Sequence, residues 1–178
     1  HSWDGEDRNS YFVSPPLGIH RIAKWARAEL GSLVDIEVID PNLYDPKDAL
    51  DVVGNRLWLG QPDVIGFSPL HLTLERDIAM MLTAAEVCPR ALFIAGGRQA
   101  TTDPTTLFSS FDHLHTIIKG EAELVFVKLL KTILEYGVNA INNYPAYLTE
   151  ISGLLVRGRN LAIRDPGPSP GLTADEFR

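Results

Sequence analysis

From about residue 10 to residue 136 the chain alternates short apolar runs with longer stretches whose apolar side chains recur every three or four positions. Tyr11-Phe12-Val13, ended by Pro15-Pro16, predicts a short first strand. Leu17 to Leu30 predicts a helix: Ile19, Ile22, Ala23, Ala26 and Leu30 share one side, and Gly31 stops it. Residues 34–39 alternate apolar and polar like a strand with one wet face, closed by Asp40-Pro41-Asn42. A second helix is predicted from Pro46 to Leu59 with Asp45 as its cap. A buried strand follows at 63–67, a third helix from Leu70 to Val87, and another apolar run at 91–95 broken by Gly96-Gly97. A short helix over 104–109, a strand at 116–118 and a long helix from Glu121 to Tyr136 complete the series.

Strands that are nearly continuously apolar, each followed by a helix, belong to a parallel sheet covered on both faces. The expected fold is therefore α/β, a flavodoxin/Rossmann-like doubly wound sheet of five parallel strands. The tail has a different texture. Leu154-Leu155-Val156 and Leu161-Ala162-Ile163 flank Arg157-Gly158-Arg159-Asn160 and predict a β-hairpin. Asp165-Pro166-Gly167-Pro168-Ser169-Pro170-Gly171 has the composition of an extended linker. The expected division is a disordered or added segment at 1–9, a folded domain at 10–140, and a hairpin with linker at 141–178.

Composition narrows the picture. The 178 residues are 45% apolar and 22% charged, which suits one packed domain with an appendage. No stretch approaches the roughly eighteen consecutive apolar residues of a spanning helix. The first eight residues are polar and lack the apolar core of a secretion signal, so a cytoplasmic setting is expected. Sixteen basic against twenty-three acidic residues leave a net charge of −7, which disfavours binding to nucleic acid or to anionic lipid. Cys88 is the single cysteine, so this sequence holds no internal disulfide, cysteine-ligated zinc site or iron–sulfur cluster of its own. Placed before Pro89 at the end of a helical pattern, it reads as a small buried thiol.

In an open parallel sheet, ligands bind beyond the carboxyl ends of the strands. The loops at those ends carry glycines and small hydroxyls, with few acids or bases facing one another. Such a rim suits holding a flat or elongated molecule better than general acid–base chemistry. The first loop, Pro15-Pro16-Leu17-Gly18, has one glycine where a dinucleotide site needs three. Ser14 and Ser68 stand where a phosphate-receiver domain needs acids, and two prolines cannot supply the N–H donors of a flavin phosphate loop.

Ser68-Pro69-Leu70 followed by Gly96-Gly97 resembles the Ser-x-Leu and Gly-Gly elements of cobalamin-binding domains. Two glycines clear a path for the nucleotide tail of the corrin, and a serine hydroxyl can bond its buried benzimidazole. The Asp-x-His-x-x-Gly element whose histidine would bind cobalt is absent, and Pro16-Leu17-Gly18 stands in its place. Taken in order, Pro-Pro-Leu-Gly, residues 62–68, Gly96-Gly97-Arg98-Gln99-Ala100-Thr101 and Lys119-Gly120-Glu121-Ala122-Glu123 resemble the N-terminal cobalamin-binding domain of cobalamin-dependent radical SAM enzymes. The resemblance spans about residues 13 to 170. Arg98-Gln99 departs from the commoner Pro-His, and Gly-Glu-Ala-Glu from Gly-Glu-Gly-Glu.

The resemblance implies a module that holds cobalamin base-off with no protein histidine on cobalt. Its cofactor-binding set would comprise Pro16, Leu17 and Gly18 in the first loop, and Phe67, Ser68, Leu70, His71, Leu72 and Thr73 around the third. Gly96, Gly97, Arg98 and Thr101 would follow the fourth strand, and Gly120 and Glu121 the fifth. Leu72 would face cobalt without ligating it, His71 would point away, and Glu121 would accept hydrogen bonds from the tail's ribose. No catalytic residue is expected in this chain. The parent protein would be a methyltransferase using S-adenosylmethionine and a [4Fe-4S] cluster, acting on a small-molecule or peptide substrate through a C-terminal radical SAM domain. Two other readings stay open: a corrinoid carrier or sensor without radical chemistry, and a cofactor-free flavodoxin-like interaction domain.

Overall fold

The computed structural model describes residues 16–158, 162–169 and 171. Twelve elements position the candidate site. Helix α1 (Leu17–Leu30) and helix α2 (Ala49–Gly60) lead into strand β1 (Val64–Phe67). Helix α3 (Leu74–Val87), strand β2 (Leu92–Ala95), the short helices α4 (Gly97–Thr102) and α5 (Pro104–Ser110), and strand β3 (Leu114–Ile118) follow. Helices α6 (Glu123–Tyr136) and α7 (Val138–Asn143) precede the hairpin of β4 (Leu154–Arg157) and β5 (Ile163–Arg164).

The sheet has five strands in the order β1-β2-β3-β4-β5. It is parallel through β1, β2 and β3, and the hairpin joins it antiparallel on the far side of β3. The fold is thus α/β with a five-stranded sheet. The predicted hairpin is present, but as two strands of that sheet rather than as a separate appendage. Its attachment is firm: Thr116, fully buried, donates its hydroxyl to the Leu155 carbonyl at 2.7 Å. Arg157 lies over the Phe108 ring and donates to the Phe108, Phe111 and Asp112 carbonyls.

The strand expected at Tyr11-Phe12-Val13 lies outside the described residues. Residues 34–39 run extended, as their alternation predicts, yet pair with no strand among the described residues. Val34 and Ile36 pack on one core and Ile39 on the other, while Arg27 donates to the Ile36 carbonyl and Arg56 pairs with Glu37 at 2.7 Å. Helix α2 starts later than Pro46 because residues 46–48 form a turn, with Asp45 accepting from the Lys47 and Asp48 amides. The loop predicted after Gly96 is helical, as α4.

Two cores lie on opposite faces of the sheet. One packs α2, α3 and α5 against Ile65, Phe93, Ala95, Leu114 and Ile117. The other packs α1 and α6 against Leu92, Ile94, Ile118, Leu154 and Val156. The parallel ladder is irregular between Phe93 and Ile94, where its register shifts. There the Phe93 amide donates to His115 Nδ1 at 3.0 Å, and the two rings stack at 6.2 Å. Among the described residues no helix is long and apolar enough to cross a membrane.

Candidate functional site

The three parallel strands end on one rim, and their loops are tied together by backbone. Phe67 contributes in a way its sequence position did not reveal. Its ring stacks on Phe93 in the α2/α3 core, away from the α1/α6 face, while its carbonyl accepts from the Gly96 amide at 2.9 Å. Phe67 therefore positions Gly96 through its backbone.

That other face is open near the rim. Side chains alternate along a strand, so Val64, which packs in the α1/α6 core, places Gly66 and Ser68 on the same side. Gly66 is exposed although it lies inside β1. A Cβ there would meet only Ile94, at 3.4 Å, and one at Gly96 would meet Ile118 at 3.8 Å. Both isoleucines belong to the α1/α6 core. Gly66 and Gly96 thus clear side chains from neighbouring strands on the face where Ile94 and Ile118 pack. Ser68 stands at the end of this track: a Cβ on Gly97 would lie 2.7 Å from Ser68 Oγ. Gly97 has φ +84°, where side chains are disfavoured, so its glycine serves both backbone and clearance.

The loop after Ser68 is anchored by a residue the sequence reading missed. Asp77 Oδ2 accepts from the Leu70 amide at 3.0 Å and from the Thr73 hydroxyl at 2.8 Å. Thr73 is thereby turned toward α3, while His71 and Leu72 remain exposed, Leu72 at 94%. Leu17 and Leu70 are also exposed large apolar side chains on this rim, Pro16 caps α1 and accepts from the Ile19 amide at 3.0 Å, and Gly18 is exposed beside them. Arg98 is exposed in the first turn of α4.

Thr101 Oγ1 accepts from the Gly120 amide at 3.1 Å, so the predicted Thr101 and Gly120 are brought together directly. Glu121 is exposed, and its carbonyl accepts from Ser169 Oγ at 2.8 Å. The linker does not extend away here but turns back onto the rim. Lys119 Nζ contacts Asp165 Oδ2 at 2.5 Å, which holds the Asp165 carboxyl below the ordinary carboxylate range. Gly153 donates to the Gly167 carbonyl at 2.9 Å, and its φ of +88° and the Ser169 backbone 2.9 Å from a Cβ position both require glycine.

A cavity of about 430 Å³ beside this rim is lined by Pro16, His20, Asp40, Tyr44 and Arg56, among others. Of the predicted residues only Pro16 lines it. Asp40 Oδ1 accepts from the Asn42 backbone and side-chain nitrogens, both at 3.0 Å. Among the described residues, no three His, Cys, Asp or Glu side chains gather as a metal site.

No family model and no curated protein matches this chain. A crystal structure of the N-terminal domain of the hypothetical protein TM0182 from Thermotoga maritima has 16% sequence identity and a TM-score of 0.42 with it. That likeness covers 61% of this chain and 81% of the other, and at this level it carries no argument.

Proposed function

We propose that this chain is a cobalamin-binding module, working in the cytoplasm as part of a cobalamin-dependent radical SAM methyltransferase. The observation that carries the reading is the side-chain-free track of Gly66, Gly96 and Gly97, with the Ser68 hydroxyl at its mouth. A ligand that only rested on the rim would not need glycine inside β1. A long appendage threaded between sheet and helices does, because each Cβ there would narrow its path. The exposed leucines Leu17, Leu70 and Leu72 then suit the apolar underside of a corrin ring, which would cover them.

Within this reading Ser68 bonds the benzimidazole, Gly96 and Gly97 admit the tail, and Thr101 fixes the Gly120–Glu121 loop against which it lies. Leu72, exposed beside His71, would offer the ring an apolar contact. Arg98 meets the corrin's amide rim. When bound, cobalamin supplies a cobalt centre that carries methyl groups. The partner in this account is a radical SAM domain holding the [4Fe-4S] cluster, S-adenosylmethionine and the small-molecule or peptide substrate.

The test is retention of hydroxocobalamin through gel filtration after incubation with the chain. Co-elution of the corrin bands at one per chain, with a base-off spectrum, is the expected result. Free corrin in the salt volume contradicts the reading and leaves a cofactor-free interaction domain. Nitrogen splitting in the electron paramagnetic resonance spectrum of the bound cobalt(II) form that disappears in His71→Ala would put His71 on the metal and overturn its assigned place.

A further inference from the structure

The cavity of about 430 Å³ beside the rim is lined by none of Gly66, Gly96 and Gly97, and it holds a carboxylate that the fold uses only by half. Asp40 lines it although the residue is only 8% exposed. Asp40 caps the turn Pro41–Leu43, a task for one oxygen: Oδ1 accepts from both Asn42 nitrogens. Asn42 Oδ1 in turn accepts from Arg76 at 2.8 Å, which fixes that amide with its donors toward Asp40. Among the described residues Oδ2 accepts no hydrogen bond, and the carboxylate has no ion pair. Arg56, the cation of the lining, is already committed to Glu37 at 2.7 Å. A buried carboxylate answered only by neutral amide donors is poorly compensated. The other walls suit a ligand that would complete it. Tyr44 supplies an aromatic ring, which attracts cations, while Val38 and Leu43 offer apolar surface to an aliphatic stem. The net charge of −7 draws cations toward the molecule as a whole.

We infer that this cavity binds a small aliphatic amine, with its ammonium on Asp40 Oδ2. An ammonium carries three donors and a positive charge, so one contact fills the open oxygen and neutralises the site. A hydroxyl does only the first, and an anionic group does neither. A divalent cation needs several oxygen ligands, and no three acidic, histidine or cysteine side chains gather among the described residues. The site is independent of the cobalamin reading and would stand if that reading fell.

The test titrates pentylamine into the full chain and follows the ring signals of Tyr44 and His20 by nuclear magnetic resonance. Saturable shifts of both rings are expected. Pentanol, of the same length but uncharged, should bind at least about tenfold more weakly. Asp40→Asn can keep its oxygen toward the Asn42 donors while turning the open acceptor into a donor without charge. It should weaken pentylamine binding at least about tenfold. Glu29→Gln removes the same charge from the exposed side of α1 and should change the affinity less than about twofold. Should Asp40→Asn fail to fold, Tyr44→Ala serves in its place, since Tyr44 stands outside the capping bonds, and a loss of at least about threefold is expected. The inference is overturned if the ring signals do not saturate, if pentanol binds as tightly, or if the Asp40 or Tyr44 variant keeps full affinity. An equal loss in Glu29→Gln also overturns it, because that marks general attraction to an acidic surface.

Discussion

His115 offers a test of the sheet that presents the site. It lies in β3 beside the register shift with β2, the strand that leads to Gly96-Gly97, and accepts the Phe93 amide on Nδ1. Burial, with the nearby His113 and Arg157 adding to it, lowers its pKa from the ordinary 6.5 to about 4. The unfolded chain takes up the proton near pH 6.5, whereas the folded chain holds the ring neutral until about pH 4. Protonation therefore favours unfolding: the stability is intact above pH 6.5 and drains as the pH falls toward 4. At 1.36 kcal/mol per unit, the loss across that window is about 3 kcal/mol. Urea denaturation at half-unit steps from pH 7 to pH 4 measures it, alongside His115→Gln, which keeps an acceptor for Phe93 but does not titrate. The native chain should lose about 3 kcal/mol more than the variant over this range. Parallel curves, or a His115 ring signal titrating near pH 6.5 in the folded chain, would refute the reasoning.

Three other outcomes follow from the same structure. Gly66→Val should fold, since the position is exposed and extended within β1, changing stability by about 1 kcal/mol or less. It should nevertheless abolish corrin retention on gel filtration, and unchanged retention would remove the track from the account. Gly153→Ala should release the linker at a cost of about 1–2 kcal/mol, because its Cβ meets the Ser169 backbone at φ +88°. Faster hydrogen exchange at its own amide, which now bonds Gly167, is the readout. Cys88 is buried with Sγ 3.5 Å from the Leu57 carbonyl, and burial pushes its thiol pKa up. An aromatic disulfide reagent should label it at least about a hundredfold more slowly in the native chain than in denaturant.

Much of the fold was legible because period and punctuation agree. The 3.6-residue rhythm of Leu17–Leu30 ends at a glycine, and the helix ends there too. Gly96-Gly97 marked a strand end, and β2 stops at Ala95. Pairing was less legible: alternation at 34–39 specifies an extended chain but not its neighbour, and Leu154-Leu155-Val156 does not announce that it will pair with β3. Ser68 and Gly97, and Thr101 and Gly120, are brought together in pairs as expected of strand ends on one rim. Phe67 turns its ring into the α2/α3 core because adjacent residues of a strand face opposite ways, and Ser68 takes the other side. Gly66 carried a usable signal, two positions before Ser68 on the same face. Asp77 did not, since an acidic residue in a first helical turn reads as dipole stabilisation until its partners are seen.

The track's purpose is most directly measured by comparing the affinity of this chain for hydroxocobalamin and for cobinamide, which shares the corrin but has no nucleotide tail. If Gly66, Gly96 and Gly97 make way for that tail, hydroxocobalamin should bind at least about a hundredfold more tightly, a difference of about 3 kcal/mol. Equal affinity for the two corrinoids, or none for either, would contradict the account.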